Sequence, residues 1–155
     1  MFSNEIVLQL LDYLDSNLYK KISLNDLSNT FHYHKDYLMR LFKRELGITI
    51  IDYLNRKKIY HSIQYMRNFH RSATYLSIKF GFFSLEYYSE IFKKYIGVAP
   101  TVFYKYLNRD YDLGHEQFDI VNQNLVSLQF LWKRIDEYRL NIKPQKSVKV
   151  LSVFK

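Results

Sequence analysis

Lys35, Asp36, Met39, Arg40 and Lys43 fall at i, i+1, i+4, i+5 and i+8, the spacing of one helix face, while Leu38, Leu41 and Phe42 fall on the other. An arginine on such a face presents a planar fork of donors that matches paired acceptors such as O6 and N7 of guanine. A methionine there can touch a thymine methyl, and lysines suit phosphates. Leu85, Glu86, Ser89, Glu90 and Lys93 repeat the pattern further along the chain, now with two carboxylates. Carboxylates accept from cytosine N4 but repel a phosphate backbone. Ser84 precedes this second stripe, where a hydroxyl and the free N–H groups of a helix start can hold a phosphate. The plainer reading of the first stripe is a solvated face on which Arg40 pairs with Asp36 one turn away.

Other chemistries find little support. His32 and His34 form an H-x-H pair in an expected turn, without acidic or thiol partners at ligand spacing, and read as polar turn residues rather than metal ligands. His61 and His70 lack triad partners and no serine sits in a nucleophile motif, so neither an enzyme nor a bound cofactor is expected. The absence of cysteine removes disulfides, thiolate catalysis and Cys-based zinc sites. With 23 basic and 15 acidic residues the formal charge is +8, which favours a polyanionic partner, nucleic acid before membrane surface. Sixteen basic and ten acidic residues lie up to Asp110, a net +6, so most of the excess sits in that part. The first apolar stretch, Ile6 to Leu11, is interrupted by Gln9 and flanked by Glu5 and Asp12. It reads as a helix rather than a signal peptide, and a cytoplasmic protein is the expectation.

Only four glycines and two prolines occur in 155 residues, which points to an all-α chain. A first helix is expected after Ser3 or Asn4, with Val7, Leu10, Leu11, Leu14 and Leu18 inward. Ser23 with Asp26 and Thr49 with Asp52 have capping-box spacing and open a short second and a long fourth helix, the latter to about Arg67. A third helix ends at Gly47. Ser72 and Ser84 open a fifth and a sixth, with Gly81 and Gly97 as stops, and Pro100 suits the first turn of a seventh.

The chain also repeats itself. Leu27, Ser28 and Phe31 match Leu76, Ser77 and Phe80 at an offset of 49; after one inserted turn residue, Tyr37, Phe42, Gly47 and Tyr53 match Tyr87, Phe92, Gly97 and Phe103 at 50. Short helix, tight turn, longer helix is the helix-turn-helix unit, whose second helix fits a major groove. Two such units flank the fourth helix.

The order Gly81-Phe82, Phe92-Lys93-Lys94, Gly97, Pro100, preceded by Arg40-Leu41-Phe42-Lys43, Gly47, Tyr53-Leu54 and Ile59, resembles the carboxy-terminal DNA-binding domain of the AraC/XylS family of bacterial transcription regulators over about residues 5–107. The resemblance implies seven helices in two subdomains, double-stranded DNA contacted in two adjacent major grooves, and regulation, such as activation, through RNA polymerase. Arg40 fits the arginine expected on the first recognition helix. Glu90, Tyr104 and Lys58 stand where the family usually carries arginine, so the first unit is expected to dominate reading and the second to anchor. The alternative is a protein-interaction module that keeps the fold and binds DNA weakly.

Residues 1–110 are thus expected to form the double helix-turn-helix domain and 111–155 a helical extension. Phe118, Val121, Leu125, Leu128, Trp132 and Ile135 alternate spacings of three and four. That seam either pairs with a second copy through residues 116–138 or packs back on its own domain. Pro144 is expected to end the helical region, with Val148, Val150, Leu151 and Val153 forming a strand.

Overall fold

The computed structural model describes the backbone of residues 2–154 and the side chains of residues 2–141. Among the described residues there are eight helices and no strand: α1 (Ser3–Ser16), α2 (Leu24–Phe31), α3 (Lys35–Leu46), α4 (Ile50–Phe69), α5 (Ala73–Lys79), α6 (Leu85–Ile96), α7 (Pro100–Leu107) and α8 (Gly114–Phe154). None of them is long and apolar enough to cross a membrane among the described residues.

Local chemistry accounts for most boundaries. Ser23 and Asp26 form the reciprocal capping box, with Asp26 N–H donating to Ser23 Oγ at 3.1 Å and Ser23 N–H to the Asp26 carboxylate at 2.8 Å. Ser72 and Ser84 cap α5 and α6 through their hydroxyl oxygens. Four expectations need correction. Neither Ser3 nor Asn4 caps α1, whose N-cap is Phe2 with no side-chain bond. The box at Thr49 is half formed: Thr49 Oγ1 accepts from Asp52 N–H at 3.0 Å, but the Asp52 carboxylate turns away to accept from the Tyr95 hydroxyl and to approach Arg56. The fourth helix runs two residues beyond Arg67, to Phe69, and stops where His70 adopts a left-handed conformation. Finally, α8 continues through Pro144 to Phe154, where a strand was expected. A lone strand would leave its backbone groups unpaired, whereas a helix satisfies most of them within the segment, the Leu140 carbonyl losing its donor because Pro144 has no N–H.

Two apolar cores form, one for each repeat. The first gathers α1, α2, α3 and the start of α4, including Leu10, Leu14, Leu27, Leu38, Phe42 and Tyr53. The second gathers the later part of α4 with α5, α6 and α7, including Ile59, Met66, Leu76, Tyr88, Phe92 and Phe103. At about 1.5 Å per residue, the 20 residues of α4 span roughly 30 Å. α8 packs back across both cores: Leu131 and Ile135 join the first, Val121 and Leu128 the second, and Trp132 touches both. Of the expected seam, Phe118 alone is exposed, at 46%.

The cores also bury phenols. Tyr53 and Tyr88 are fully inaccessible, and Tyr95 nearly so. Burial pushes each hydroxyl well above the usual tyrosine value, helped at Tyr53 by Asp15 and at Tyr95 by Asp52. A phenol held protonated by the fold contributes stability that is complete below its unfolded value near 10 and is lost as pH rises beyond it. Unfolding free energy should therefore fall steeply above pH 10, by up to about 1.4 kcal/mol per pH unit for each such tyrosine. Tyr88→Phe, which costs the 3.1 Å bond to Ser62 and about 1 kcal/mol at pH 7, should shallow that fall. Urea titrations at pH 7 and pH 11 check this; equal losses on alkalinisation in the two proteins would contradict it.

Candidate nucleic-acid interface

Both stripes lie on the second helix of a helix-turn-helix unit and are held outward by the residues between them. On α3, Leu38, Leu41 and Phe42 are buried in the first core while Lys35, Asp36, Met39, Arg40 and Lys43 are exposed. On α6, Tyr88 and Phe92 are buried in the second core; Ser84, Leu85, Glu86, Glu90 and Lys93 are exposed, and Ser89 is half-buried. The same core geometry thus presents two surfaces of different charge.

The first stripe holds little internal pairing. Arg40 Nε donates to the backbone carbonyl of Asp36 at a long 3.4 Å, rather than forming the Arg40–Asp36 ion pair of the plainer reading. A bond of that length holds a guanidinium weakly. His34 Nδ1 accepts from Asp36 N–H at 3.2 Å as the cap of α3, and the exposed Asp36 carboxylate, 3.6 Å from that nitrogen, gains no proton from it in this arrangement. His32 closes α2 in a left-handed conformation, so both members of the H-x-H pair do turn work. On α6, Ser84 Oγ is already an acceptor for Tyr87 N–H at 2.9 Å, leaving its own proton free to donate.

An aromatic feature recurs beside both stripes. Tyr33 and Phe83 occupy equivalent turns, are 37% and 68% exposed, and lie 5.4 and 6.2 Å from the Tyr37 and Tyr87 rings at the start of each second helix. The 50-residue offset pairs these positions, and reading the repeat through its turns would have found them.

Lys58, the residue standing for a usual arginine, is 3% exposed and ties the two units together. Its ammonium donates to the carbonyls of Lys20 at 2.7 Å, Phe80 at 2.7 Å and Gly81 at 3.4 Å. Gly81, at φ +67°, fits against that same loop: a Cβ there would stand 2.5 Å from the Lys20 carbonyl carbon. Tyr104, at another departure from the pattern, donates its hydroxyl to the carbonyl of His70 at 3.1 Å. Between Asp52 and Glu86 the sequence has six lysines and arginines and no acidic residue. That acid-free stretch was a legible sign that the linker region carries cations.

A family profile described as a helix-turn-helix domain matches residues 27–106, just over half of the chain, and covers both units and α4. The chain belongs to the AraC-type helix-turn-helix family. A Staphylococcus aureus protein named transcriptional regulatory protein HptR is 34% identical over 104 residues, which make up 67% of this chain and 41% of that protein. The chain therefore spans well under half the length of the curated relatives it matches. Among solved structures, the C-terminal domain of AraT, a response regulator from Geobacillus stearothermophilus, superposes with a TM-score of 0.61 at 22% identity, covering 71% of this chain and 88% of that one. A transcriptional regulator from Chromobacterium violaceum, described as having an AraC-type DNA-binding domain, gives 0.58 at 18% identity, covering 72% and 97%. At those identities the likeness concerns the fold, and the AraC-type architecture is the one built here from its two cores.

Burial lowers the Lys58 ammonium to about 8. The unfolded chain then holds this proton more tightly than the folded one, so this group raises stability as pH climbs from 8 toward the usual lysine value. Between pH 8 and 10, below the loss caused by the buried phenols, unfolding free energy should rise by up to about 1.4 kcal/mol per pH unit. Lys58→Met should abolish the rise. Urea midpoints at half-unit pH steps read it, and the same slope in both proteins would contradict the assignment.

Proposed function

We propose that this chain is a DNA-binding transcription regulator, acting in the cytoplasm, that lays α3 and α6 into successive major grooves of one duplex, with residues 1–110 as the DNA-binding part. The observation that carries the reading is the pair of exposed stripes, each on the second helix of a helix-turn-helix unit and each unit packed on the α4 they share. Family membership and the name of the staphylococcal relative support it. In this reading Arg40 makes a bidentate contact to guanine, Met39 touches a thymine methyl, and Lys35 and Lys43 hold phosphates on either side. Asp36 stays at the helix start, its N–H donating to His34 Nδ1.

The second unit is the weaker reader. Glu86 and Glu90 repel phosphate unless aimed at cytosine N4, while Ser84, Ser89 and Lys93 are placed to hold the backbone and Leu85 to meet a methyl. RNA polymerase is the partner that family resemblance assigns to the bound complex. Pairing of two copies through residues 116–138 would have to use the outer side of α8, where Phe118, Val126 and Phe130 are exposed, because Val121, Leu128 and Ile135 are already buried. The exposed carboxylates of α6 favour one second reading, an interaction module that has kept the fold.

Selection of bound duplexes from a random pool, followed by affinity against salt for the winner and a scrambled control, tests the proposal. A preference that survives rising salt is expected. Arg40→Ala should cost about 1–3 kcal/mol and relax one base position, and Glu90→Ala should cost less. Equal, steeply salt-dependent binding to every duplex would leave only the electrostatic contribution and favour the interaction module.

A further inference from the structure

α8 lies outside the matched helix-turn-helix region, and its contacts fall at the carboxy-terminal ends of both reading helices. At the end of α6, Asn124 donates its side-chain amide to the Ile96 carbonyl at 2.8 Å. Ile120 packs so closely on Gly97 that a Cβ there would stand 2.6 Å from its Cγ2. At the end of α3, Tyr138 donates to Glu45 at 3.3 Å, and Arg134 lies 3.6 Å from where a Cβ on Gly47 would stand. Asn124 and Tyr138 are 14 residues apart, so roughly 20 Å of continuous helix joins the two contact points.

Between them, Trp132 sits edge-on to Tyr53 at 6.0 Å and to Tyr60 at 5.7 Å, with the Lys57 ammonium 4.7 Å over its ring. Arg139 then fastens α8 to α1 with two bonds, to Asp12 at 2.6 Å and Asp15 at 2.7 Å. Asp15 in turn accepts from Tyr53 at 2.7 Å. α4, together with the Lys58 tie to Lys20, Phe80 and Gly81, is one connection between the two units. A second helix fixed to both cores and to both helix ends closes a frame, and a closed frame resists both bending and twisting.

We propose that α8 is a splint that fixes the distance and angle between α3 and α6, and that Asn124, Trp132 and Arg139 thereby make the chain selective for one spacing between its two half-sites. The spacing clause rests on the DNA-reading proposal above; the splint itself does not. Each base pair inserted between half-sites moves the second groove by ~3.4 Å and turns it by about a tenth of a rotation. A rigid pair of readers loses its second contact after such a shift, and a hinged pair follows it.

Two full-chain variants test the splint: Asn124→Ala with Arg139→Gln, which cuts the surface ties and leaves the cores intact, and Trp132→Ala. With no native cysteine, Arg44→Cys and Lys94→Cys give two exposed spin-label sites, one on each reading helix. Pulsed electron resonance on unbound protein should give a narrow distance distribution, widened at least about twofold by the surface variant and further by Trp132→Ala where that variant folds. A surface variant whose distribution stays as narrow as the parent, or a parent as broad as the variant, overturns the splint.

On duplexes with the selected half-sites moved by two base pairs, the parent should lose about 100-fold in affinity and the surface variant under about 10-fold, with single half-site binding unchanged. Equal losses overturn the spacing clause. Failure of every duplex to bind, with distances still responding, would sink the DNA reading and leave the splint standing.

Discussion

One helix serves two cores, and the rest of the structure depends on that sharing. The beginning of α4 gives Ile50, Tyr53 and Leu54 to the first cluster, and its continuation gives Ile59, Ile63 and Met66 to the second. A unit of about 50 residues buries too little apolar surface to be comfortably stable alone. Each repeat gains from a helix already ordered by the other, and α8 extends the effect by adding Val121 and Leu128 to one cluster and Leu131 and Ile135 to the other. The same sharing transmits orientation, because a helix held in two packed cores cannot rotate in one without disturbing the other.

Polar groups complete what apolar burial leaves open. Apolar packing between the units is non-directional, whereas the Lys58 ammonium demands acceptors at set distances and finds them on the Lys20 loop and the Phe80–Gly81 turn. The missing side chain at Gly81 lets those two backbone segments approach. Asp52 is diverted from its own helix start to Tyr95, and Asp15 is held between Tyr53 and Arg139. In each case a carboxylate that could serve a local role joins elements distant in sequence, where burial strengthens the interaction.

The two repeats share a scaffold and differ in what they show. Most positions that match across the repeat pack or turn, among them Leu27 and Leu76, Phe42 and Phe92, Gly47 and Gly97, Tyr53 and Phe103, while Lys43 and Lys93 match on the exposed face. The stripes between them are under little packing constraint, and there one unit carries Lys35, Met39 and Arg40 where the other carries Leu85, Ser89 and Glu90. The repeat therefore sets where an exposed helix face stands, and surface chemistry sets what each copy can hold.

Helix order, the two-unit plan and the outward stripes were legible in the sequence because they rest on local rules: capping hydroxyls at Ser23, Ser72 and Ser84, glycine stops at Gly47 and Gly97, and a 3.6-residue apolar period. Those rules act within a turn or two of helix, so neighbouring residues suffice to read them. The fate of Asp52, the burial of Lys58 and the docking of Trp132 across both cores were not legible. Each depends on partners tens of residues away, and a local pattern cannot tell whether such a partner will outcompete the neighbour. For α8, an apolar seam specifies that a face must be covered and leaves open what covers it. Only the packed structure supplied the answer, by placing the two repeats' own helix ends and cores within its reach.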